Sequence, residues 1–382
     1  MGGELPLPSL FISGFRGFPN LSIPQLGRVT LLTGRNGVGK TTVLDTIRIY
    51  AAATCDTPWP LVALLAERLG QQDEWRDSLD EDGNKLLVAD YTGLFHGRGF
   101  SPGQPISIGP DSDENNIKLE IYQEGKLSKE EEERLMLPLS RIEDTGIPPL
   151  MVIFKEHLKY LLPQTSSQEY MRFLRRRYLL RTMDDDQSTG RFNCEFIGPR
   201  LPDDESLVEF IDKVALTKEA HRPIQALELI LGHKVYGIVA VGRSERRSRP
   251  RVMVKLSEQE PRVPLKSLGD GVTRFFGIAA ALLKSRNGIL LIDEVENGIH
   301  YTVHEKLWKM ILEAAHEHNI QVVATTHSRD TIIGCAKAIR NSEIENTHSA
   351  LVRIEGKGED AQAVEYSEEE IKIASQHNIE MR

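Results

Sequence analysis

Residues 289–300 read ILLIDEVENGIH, an aliphatic run that ends in two adjacent carboxylates, Asp293 and Glu294. A short unbroken apolar run that follows a glycine, here Gly288, is typical of a strand buried on both faces of a parallel sheet. Open sheets in which strands and helices alternate bind their ligands at the carboxyl ends of the strands. The stretch therefore predicts an α/β fold with an acid pair at its ligand-binding edge. An acid that merely caps a helix is the alternative.

A second stretch, near the amino terminus, favours the ligand-binding interpretation. Residues 28–33, RVTLLT, predict a strand that leads directly into GRNGVGKTT at residues 34–42, and apolar residues at helical spacing follow. Residues 34–41 fit G-x-x-x-x-G-K-[S/T] at every position. A strand before this pattern and a helix after it form the context in which it binds nucleotide phosphates. We expect backbone N–H groups of the loop and the amino end of the helix to hold phosphate oxygens.

The residues of these two stretches have separate expected roles. Lys40 would reach the β- and γ-phosphates, while the Thr41 hydroxyl and Asp293 would hold Mg²⁺. Glu294 stands where it could activate an attacking water as a general base. The expected phosphate-binding residues are those of the loop and the first turn of its helix: Gly34, Arg35, Asn36, Gly37, Val38, Gly39, Lys40, Thr41 and Thr42.

Two further segments have the residue types of an anion site. Residues 267–271, Ser-Leu-Gly-Asp-Gly, precede a predicted helix shortly before the acidic strand, so a hydroxyl and exposed N–H groups meet at a helix amino terminus. An ordinary helix cap by Ser267 or Asp270 is the alternative. His327 ends the next predicted strand, within ATTHS. A histidine there is either structural or a sensor of the γ-phosphate, and the order of the motifs favours the sensor.

The composition is that of a globular protein. The chain has 382 residues, enough for one large or two ordinary domains, with 40% hydrophobic and 27% charged residues. Its net charge of -9 argues against a protein that coats nucleic acid uniformly. Three widely separated cysteines, a start without a basic, apolar leader and the lack of a run of roughly 20 apolar residues predict a soluble cytoplasmic protein without membrane contact.

The order of the motifs resembles that of the AAA_15/AAA_21-type ATPases. This group includes the ATPase halves of OLD-family nucleases and the PtuA-like and PARIS-type antiphage ATPases, with RecF and SMC heads as more distant relatives. The likeness covers residues 9–55 and 262–382 well and the middle of the chain only loosely. The motifs that carry it are FRGF (15–18), TGRNGVGKTT, PLKSLGDGVTRF, LLIDEVENGIHYTVHEKLW, QVVATTHSRD and HNIEMR.

The resemblance implies a P-loop NTPase of the ABC-ATPase head type that binds ATP and Mg²⁺. It implies a homodimer or larger assembly in which ATP lies between Lys40 of one subunit and the signature segment of the other, namely Ser267, Gly269, Asp270 and Gly271. Glu294, Lys40 and His327 would be its catalytic residues. The role implied is an ATP-gated sensor or motor, the ATPase of an antiphage defence system whose effector nuclease is a separate chain.

Two other functions remain as alternatives. A RecF- or SMC-like ATPase in DNA repair or chromosome maintenance would bind DNA itself. A scaffold that binds ATP without hydrolysing it is disfavoured because Glu294 is present. Arginine clusters at residues 172–181 and 243–251 could contact nucleic-acid phosphates, or could form a solvated face or a surface for a protein partner.

The sequence departs from the family pattern in its middle and at its end. About 250 residues separate Lys40 from Asp293 without a heptad run, which predicts a largely helical insertion, or lid. We therefore assign residues 1–55 to the first part of the ATPase core, 56–260 to the rest of the first lobe with the lid, and 261–382 to the second part of the core. OLD nucleases continue into a metal-binding nuclease domain that is not expected here, and the acidic triplet 184–186 is interpreted as a loop.

Several single residues have competing interpretations. His300 and His304 are spaced to share one helix face as metal ligands, but a third ligand is not evident. Arg16 and Arg274 could touch phosphate or form structural ion pairs. The resemblance also implies a Q-loop glutamine, for which Gln71, Gln72, Gln104 and Gln123 are all weak candidates.

Overall fold

The computed structural model describes residues 4–55, 59–71, 75–79, 85–99, 104–110, 116–121, 150–154, 157–162, 192–242, 250–344 and 347–377. The helices in these ranges are α1 (Lys40–Ala53), α2 (Trp59–Gln71), α3 (Asp204–Ala215), α4 (Arg222–Leu231), α5 (Asp270–Lys284), α6 (His304–Glu317), α7 (Arg329–Arg340) and α8 (Glu368–His377). The strands are β1 (Leu10–Phe15), β2 (Phe18–Ile23), β3 (Val29–Thr33), β4 (Trp75–Leu79), β5 (Lys85–Ala89), β6 (Ile106–Gly109), β7 (Ile117–Ile121), β8 (Leu150–Phe154), β9 (His157–Leu162), β10 (Cys194–Ile197), β11 (Gly237–Val241), β12 (Arg251–Lys255), β13 (Val263–Pro264), β14 (Ile289–Ile292), β15 (Gln321–Thr325), β16 (Ser349–Glu355) and β17 (Gln362–Tyr366).

The central sheet brings the predicted motifs to one edge. Its strand order is β10-β14-β15-β3-β16-β17, parallel from β10 to β16 with β17 antiparallel. The phosphate loop follows β3, the acid pair follows β14, and His327 follows β15, which lies between them. Because the carboxyl ends of parallel strands meet at the same edge, segments far apart in sequence become neighbours. This is the α/β fold of a P-loop NTPase, as predicted.

The acidic strand β14 is buried on both faces, which explains its unbroken aliphatic run. Ile289 and Leu291 pack in one core cluster with α1 and α2, and Leu290 and Ile292 pack in another with α5, α6 and α7. Side chains of a strand alternate between its faces, so a strand covered on both sides favours apolar residues at successive positions.

A second, antiparallel sheet covers α1 from the other side. Its order is β2-β1-β6-β7-β8-β9, and its buried side chains belong to the same cluster as α1 and α2. A third small sheet, β11-β12-β13, packs with α3 and with Phe276 of α5 around a separate apolar cluster. None of the described helices is both long and apolar enough to cross a lipid bilayer.

The middle of the chain differs in part from the sequence-based expectations. Residues 56–260 are predicted to contain a largely helical insertion, but His157–Leu162 within them form β9, antiparallel to β8. Six residues are too few for periodicity to separate strand from helix. The described part of 56–260 contains strands as well as helices, and residues 122–149 and 163–191 lie outside the described ranges. The helical lid and the domain boundaries therefore stay predictions.

Candidate active site

The phosphate loop, residues 34–39, lies between β3 and α1 in a conformation that needs glycine. Gly37 and Gly39 have φ angles of 76° and 102°, in the left-handed region that disfavours a side chain. A Cβ on Gly39 would also lie 2.4 Å from Cζ of Phe18, so β2 supports the loop from behind. Val38 is buried, whereas Arg35, Asn36 and Gly37 are exposed at the tip.

Lys40, the first residue of α1, turns its ammonium group back into the loop. Its Nζ donates to the carbonyl oxygen of Gly34 at 2.8 Å and to that of Arg35 at 3.1 Å. Burial lowers the pKa of Lys40, and the nearby carboxylates of Asp293, Glu296 and Glu294 act in the opposite direction. The loop thus holds a cation where the β- and γ-phosphates of a nucleotide are expected.

Thr41 and Asp293, which are 252 positions apart, meet at the edge of the sheet. The Thr41 hydroxyl lies 3.0 Å from Oδ2 and 3.2 Å from Oδ1 of Asp293. The Asp293 side chain is almost fully buried, and its Oδ1 accepts a 2.6 Å hydrogen bond from the Thr325 hydroxyl. A hydroxyl and a carboxylate this close are oxygen ligands of the kind that Mg²⁺ prefers, so the residues present fit the expected ion.

Glu294 follows the strand in an uncommon backbone conformation. Its φ angle is 49°, in the left-handed region that non-glycine residues seldom adopt. The Thr325 hydroxyl accepts its backbone N–H at 2.9 Å, and Arg274 donates to its carbonyl oxygen at 3.2 Å. These contacts fix the main chain that carries the Glu294 carboxylate, and its side chain is only partly buried. Strained backbone of this kind often marks a functional site.

Arg274, from α5, is a structural cation beneath the acid pair. It is 1% exposed and donates to the carbonyl oxygens of Gly198, Arg200, Asp293 and Glu294. Burial lowers its pKa to about 10, against the opposing effect of the neighbouring carboxylates, so it remains charged at neutral pH. These contacts support a structural role for Arg274, through backbone carbonyl oxygens rather than through the ion pair that was the structural alternative.

His327 lies beyond β15 with its ring about half exposed and next to a carboxylate. Its backbone N–H donates to Oε1 of Glu296 at 3.1 Å, and its Nδ1 lies 3.4 Å from the same oxygen. The ring is therefore at the same edge of the sheet as Asp293 and Glu294. Its predicted role as a γ-phosphate sensor stays a prediction.

The signature segment is exposed at the amino end of α5. Ser267, Gly269 and Asp270 are all exposed, and the Ser267 hydroxyl donates to the Pro264 carbonyl oxygen at 2.7 Å. Neither Ser267 nor Asp270 caps the helix, because Gly269 occupies the N-cap position without a side-chain bond. Gly271 packs so closely on the turn after β14 that a Cβ there would lie 2.5 Å from the Gly298 carbonyl oxygen.

The remaining candidates divide into structural residues and residues outside the described ranges. His304 is buried, with its ring nitrogens against the Ile299 carbonyl oxygen and the Thr331 hydroxyl, which leaves no nitrogen for zinc. Among the described residues, no group of three or more His, Cys, Asp or Glu side chains could hold a metal ion. The triplet 184–186, the cluster 172–181 and most of 243–251 lie outside those ranges, as do Gln72 and Gln123.

Two residues of the site were not singled out from the sequence. Thr325 links Asp293 to Glu294, and Glu296 contacts His327. The signal for Thr325 was its place at the end of the strand that neighbours β14. Glu296 stood inside an acid-rich turn, where a solvated carboxylate is the usual expectation.

Comparison with known proteins agrees with this arrangement. Residues 178–334 match the family model AAA_21, described as "AAA domain, putative AbiEii toxin, Type IV TA system". A curated relative from Helicobacter pylori (strain ATCC 700392 / 26695), named "ATP/GTP phosphatase", is 30% identical over 96 residues. That alignment covers 24% of this chain and 26% of the relative, so the chain matches only about a quarter of the relative's length.

Solved structures with overall similarity include heads of SMC proteins. An SMC head bound to the C-terminal winged-helix domain of ScpA has 12% identity and a TM-score of 0.44, over 94% of this chain and 97% of that one. The SMC head domain from Thermotoga maritima has 12% identity and a TM-score of 0.41, over 94% and 98%.

The stretch that matches the family model contains the signature segment, the acid pair and His327. The phosphate loop lies outside the matched residues but on the same sheet edge. Residues 178–334 are therefore similar to the AAA_21 family, and their acid pair and His327 lie at the same edge of the central sheet as the phosphate loop.

Proposed function

We propose that the protein hydrolyses ATP with Mg²⁺ and alternates between a dimer closed around ATP and an open state after hydrolysis. The observation that carries the proposal is the contact of Thr41 with Asp293, which joins the phosphate loop to the acidic strand. Lys40 in the loop and Glu294 beside Asp293 complete the set of groups that phosphoryl transfer to water needs.

The reaction follows from these positions. Lys40 and the loop N–H groups orient the triphosphate and offset its negative charge. Glu294 takes a proton from the attacking water as the new bond to the γ-phosphorus forms, and the bond to the β–γ bridging oxygen breaks to give ADP and phosphate. Mg²⁺, held by Thr41 and Asp293, would neutralise charge on the β- and γ-phosphates.

The second half of the site is proposed to come from another copy of the chain. Ser267, Gly269 and Asp270 are exposed at a helix amino terminus, and the tip of the phosphate loop is exposed as well. A helix amino terminus with an exposed serine beside it suits the γ-phosphate of a nucleotide bound by the partner subunit. Loss of that phosphate would release the partner, which makes hydrolysis a switch.

A mixing experiment tests the composite site. Lys40→Ala removes the phosphate-loop cation, and Ser267→Arg blocks the signature segment, so each variant alone should be inactive. A mixed dimer contains one intact site, built from the loop of the Ser267→Arg subunit and the signature segment of the Lys40→Ala subunit. We expect ATPase activity well above the sum of the two separate preparations. Inactivity of the mixture would contradict a shared site.

The biological role we propose is the ATPase of an antiphage defence system that acts on a separately encoded effector nuclease. Its support is the motif order together with the description of the matching family as a putative toxin of a toxin–antitoxin system. Affinity purification of a tagged Glu294→Gln variant from its host, with ATP present, should recover a nuclease or toxin in stoichiometric amount. Recovery of repair factors with DNA, together with DNA-stimulated hydrolysis, would instead favour the RecF- or SMC-like role.

A further inference from the structure

Glu296 is a third carboxylate of the site, to which the proposed reaction assigns no role. Its side chain is 10% exposed, in the turn that follows the acid pair. Backbone hydrogen bonds from Asn297 to the Glu294 carbonyl oxygen and from Ile299 to the Glu296 carbonyl oxygen fix this turn. A side-chain bond from Asn297 to the Pro199 carbonyl oxygen ties it to the segment that follows β10. These hydrogen bonds fix the main chain that carries the Glu296 carboxylate.

The oxygen Oε1 of Glu296 contacts His327 twice. It accepts the backbone N–H at 3.1 Å and lies 3.4 Å from Nδ1 of the ring. The neighbouring N–H of Ser328 is already bonded to the Thr326 hydroxyl, and Ser328 caps α7 through Thr331. Glu296 therefore completes the hydrogen bonding of a segment that turns sharply between β15 and α7. Within the described part of the chain, the Glu296 carboxylate is a side-chain group that contacts the half-exposed ring of His327.

The contact between Glu296 and His327 determines which ring nitrogen of His327 can face the reacting groups. An ionised carboxylate only accepts hydrogen bonds, so it favours the tautomer whose proton is on the nitrogen that faces it. Nδ1 is then occupied, and Nε2 remains for the attacking water or the γ-phosphate. The second oxygen of Glu296 is buried and, within the described part of the chain, has no hydrogen-bond partner. A buried carboxylate oxygen without a partner is costly, which is unexpected for a residue with no function.

We propose that Glu296 is a positioning residue, which fixes the orientation and tautomer of His327 so that Nε2 faces the reacting groups. This inference rests on the proposed ATPase function and adds a residue to it. Removal of the partner that orients a metal-binding histidine typically lowers affinity or activity about 10- to 100-fold, and we expect a loss of similar size here. The loss should fall on kcat rather than on KM, because the ring acts on the reaction and not on the binding of the nucleotide.

A double-mutant cycle with His327 tests the coupling. Glu296→Ala should lower kcat about 10- to 100-fold, and Glu296→Gln should retain most of the activity because its amide oxygen can accept both contacts. In a His327→Ala background, Glu296→Ala should cause little further loss. Additive losses would overturn the proposal, since the backbone N–H of residue 327 persists in that background. Unchanged kcat in Glu296→Ala would also overturn it. Glu313→Ala, on the exposed face of α6, is the matched control.

A spectroscopic readout separates this proposal from the proposed function. Long-range ¹H–¹⁵N spectra of the histidine rings, assigned by comparison with His327→Ala, should show a protonated Nδ1 at His327. In Glu296→Ala that signal should shift toward the tautomer protonated at Nε2. A wild-type His327 with its proton on Nε2 alone would overturn the proposal even if the protein hydrolyses ATP. A wild type without ATPase activity would contradict the proposed function and leave this measurement intact.

Discussion

The hydroxyl of Thr325 donates to Oδ1 of Asp293 at 2.6 Å and is thereby fixed against the end of the neighbouring strand. The same hydroxyl accepts the backbone N–H of Glu294 at 2.9 Å. One fully buried side chain thus orients the acid expected to hold the metal and the main chain of the acid expected to activate water. Asp293 and Glu294 are therefore connected through Thr325 at the end of β15, as well as through their own main chain.

Thr325→Val should therefore damage the site while it preserves the shape of the side chain. Loss of the hydroxyl leaves a buried N–H and a buried carboxylate oxygen without partners, so we expect the free energy of unfolding to fall by about 1–3 kcal/mol. The ATPase rate should fall as well, because the main chain of Glu294 loses one of the two hydrogen bonds that fix it. Urea titration and a steady-state assay measure the two effects. Thr325→Ser keeps the hydroxyl and should stay close to wild type; equal losses in both variants would contradict this explanation.

Arg274→Met should cost more stability than the loss of a surface arginine. The substitution removes the donor of four backbone carbonyl oxygens beneath the acid pair, and we expect a loss of about 2–4 kcal/mol. Arg286→Met is the matched comparison, because Arg286 is partly exposed and pairs with Glu219 at the surface. Its loss should be below about 1 kcal/mol. Thermal and denaturant unfolding measure the loss of stability in both variants, and equal losses would contradict this prediction.

Much of the fold could be predicted from the sequence, because β3, β14 and β15 are short, mostly apolar runs buried on both faces. The same runs end in the motifs, so the meeting of Thr41 and Asp293 follows from parallel strand order. The role of Thr325 could not be predicted in this way, because it depends on which strand lies next to β14. Strand β9 lies within the predicted helical insertion, and its six-residue pattern fits a strand and a helix equally well. The contact of Glu296 with His327 could not be predicted either, because it depends on a turn whose path is set by tertiary contacts.

Gly271→Ala should disturb the signature segment without unfolding the core. The added Cβ would lie 2.5 Å from the Gly298 carbonyl oxygen, so α5 or the turn after β14 must shift. We expect a reduced ATPase rate with nucleotide affinity for the phosphate loop little changed, measured by turnover and by ATP titration. Gly237→Ala, where a Cβ meets nothing within 4 Å, is the control. A wild-type rate in Gly271→Ala would show that this close packing is not needed.

The attachment of α8 should weaken in acid. Burial alone raises the pKa of Glu368, but hydrogen bonds from Lys372 and Thr347 outweigh it and leave the pKa below its usual value. The stabilisation is therefore present above the ordinary glutamate pKa and is lost as pH falls through the lowered value. Glu368→Gln should lower the melting temperature at pH 7, and the difference from wild type should shrink in acid. If the difference in melting temperature between the variant and wild type grew as the pH fell, this prediction would be contradicted.

The central claim, an ATP-gated dimer with Glu294 as its general base, is tested most directly by the size of Glu294→Gln in solution. Without the base the variant should bind ATP and Mg²⁺ but fail to hydrolyse ATP, so the closed state should accumulate. Size-exclusion chromatography with light scattering should show an increase in oligomeric mass that depends on ATP and is absent with ADP. Lys40→Ala in the same variant should abolish the increase. If Glu294→Gln binds ATP and its mass stays unchanged, the account of a nucleotide-closed dimer is wrong.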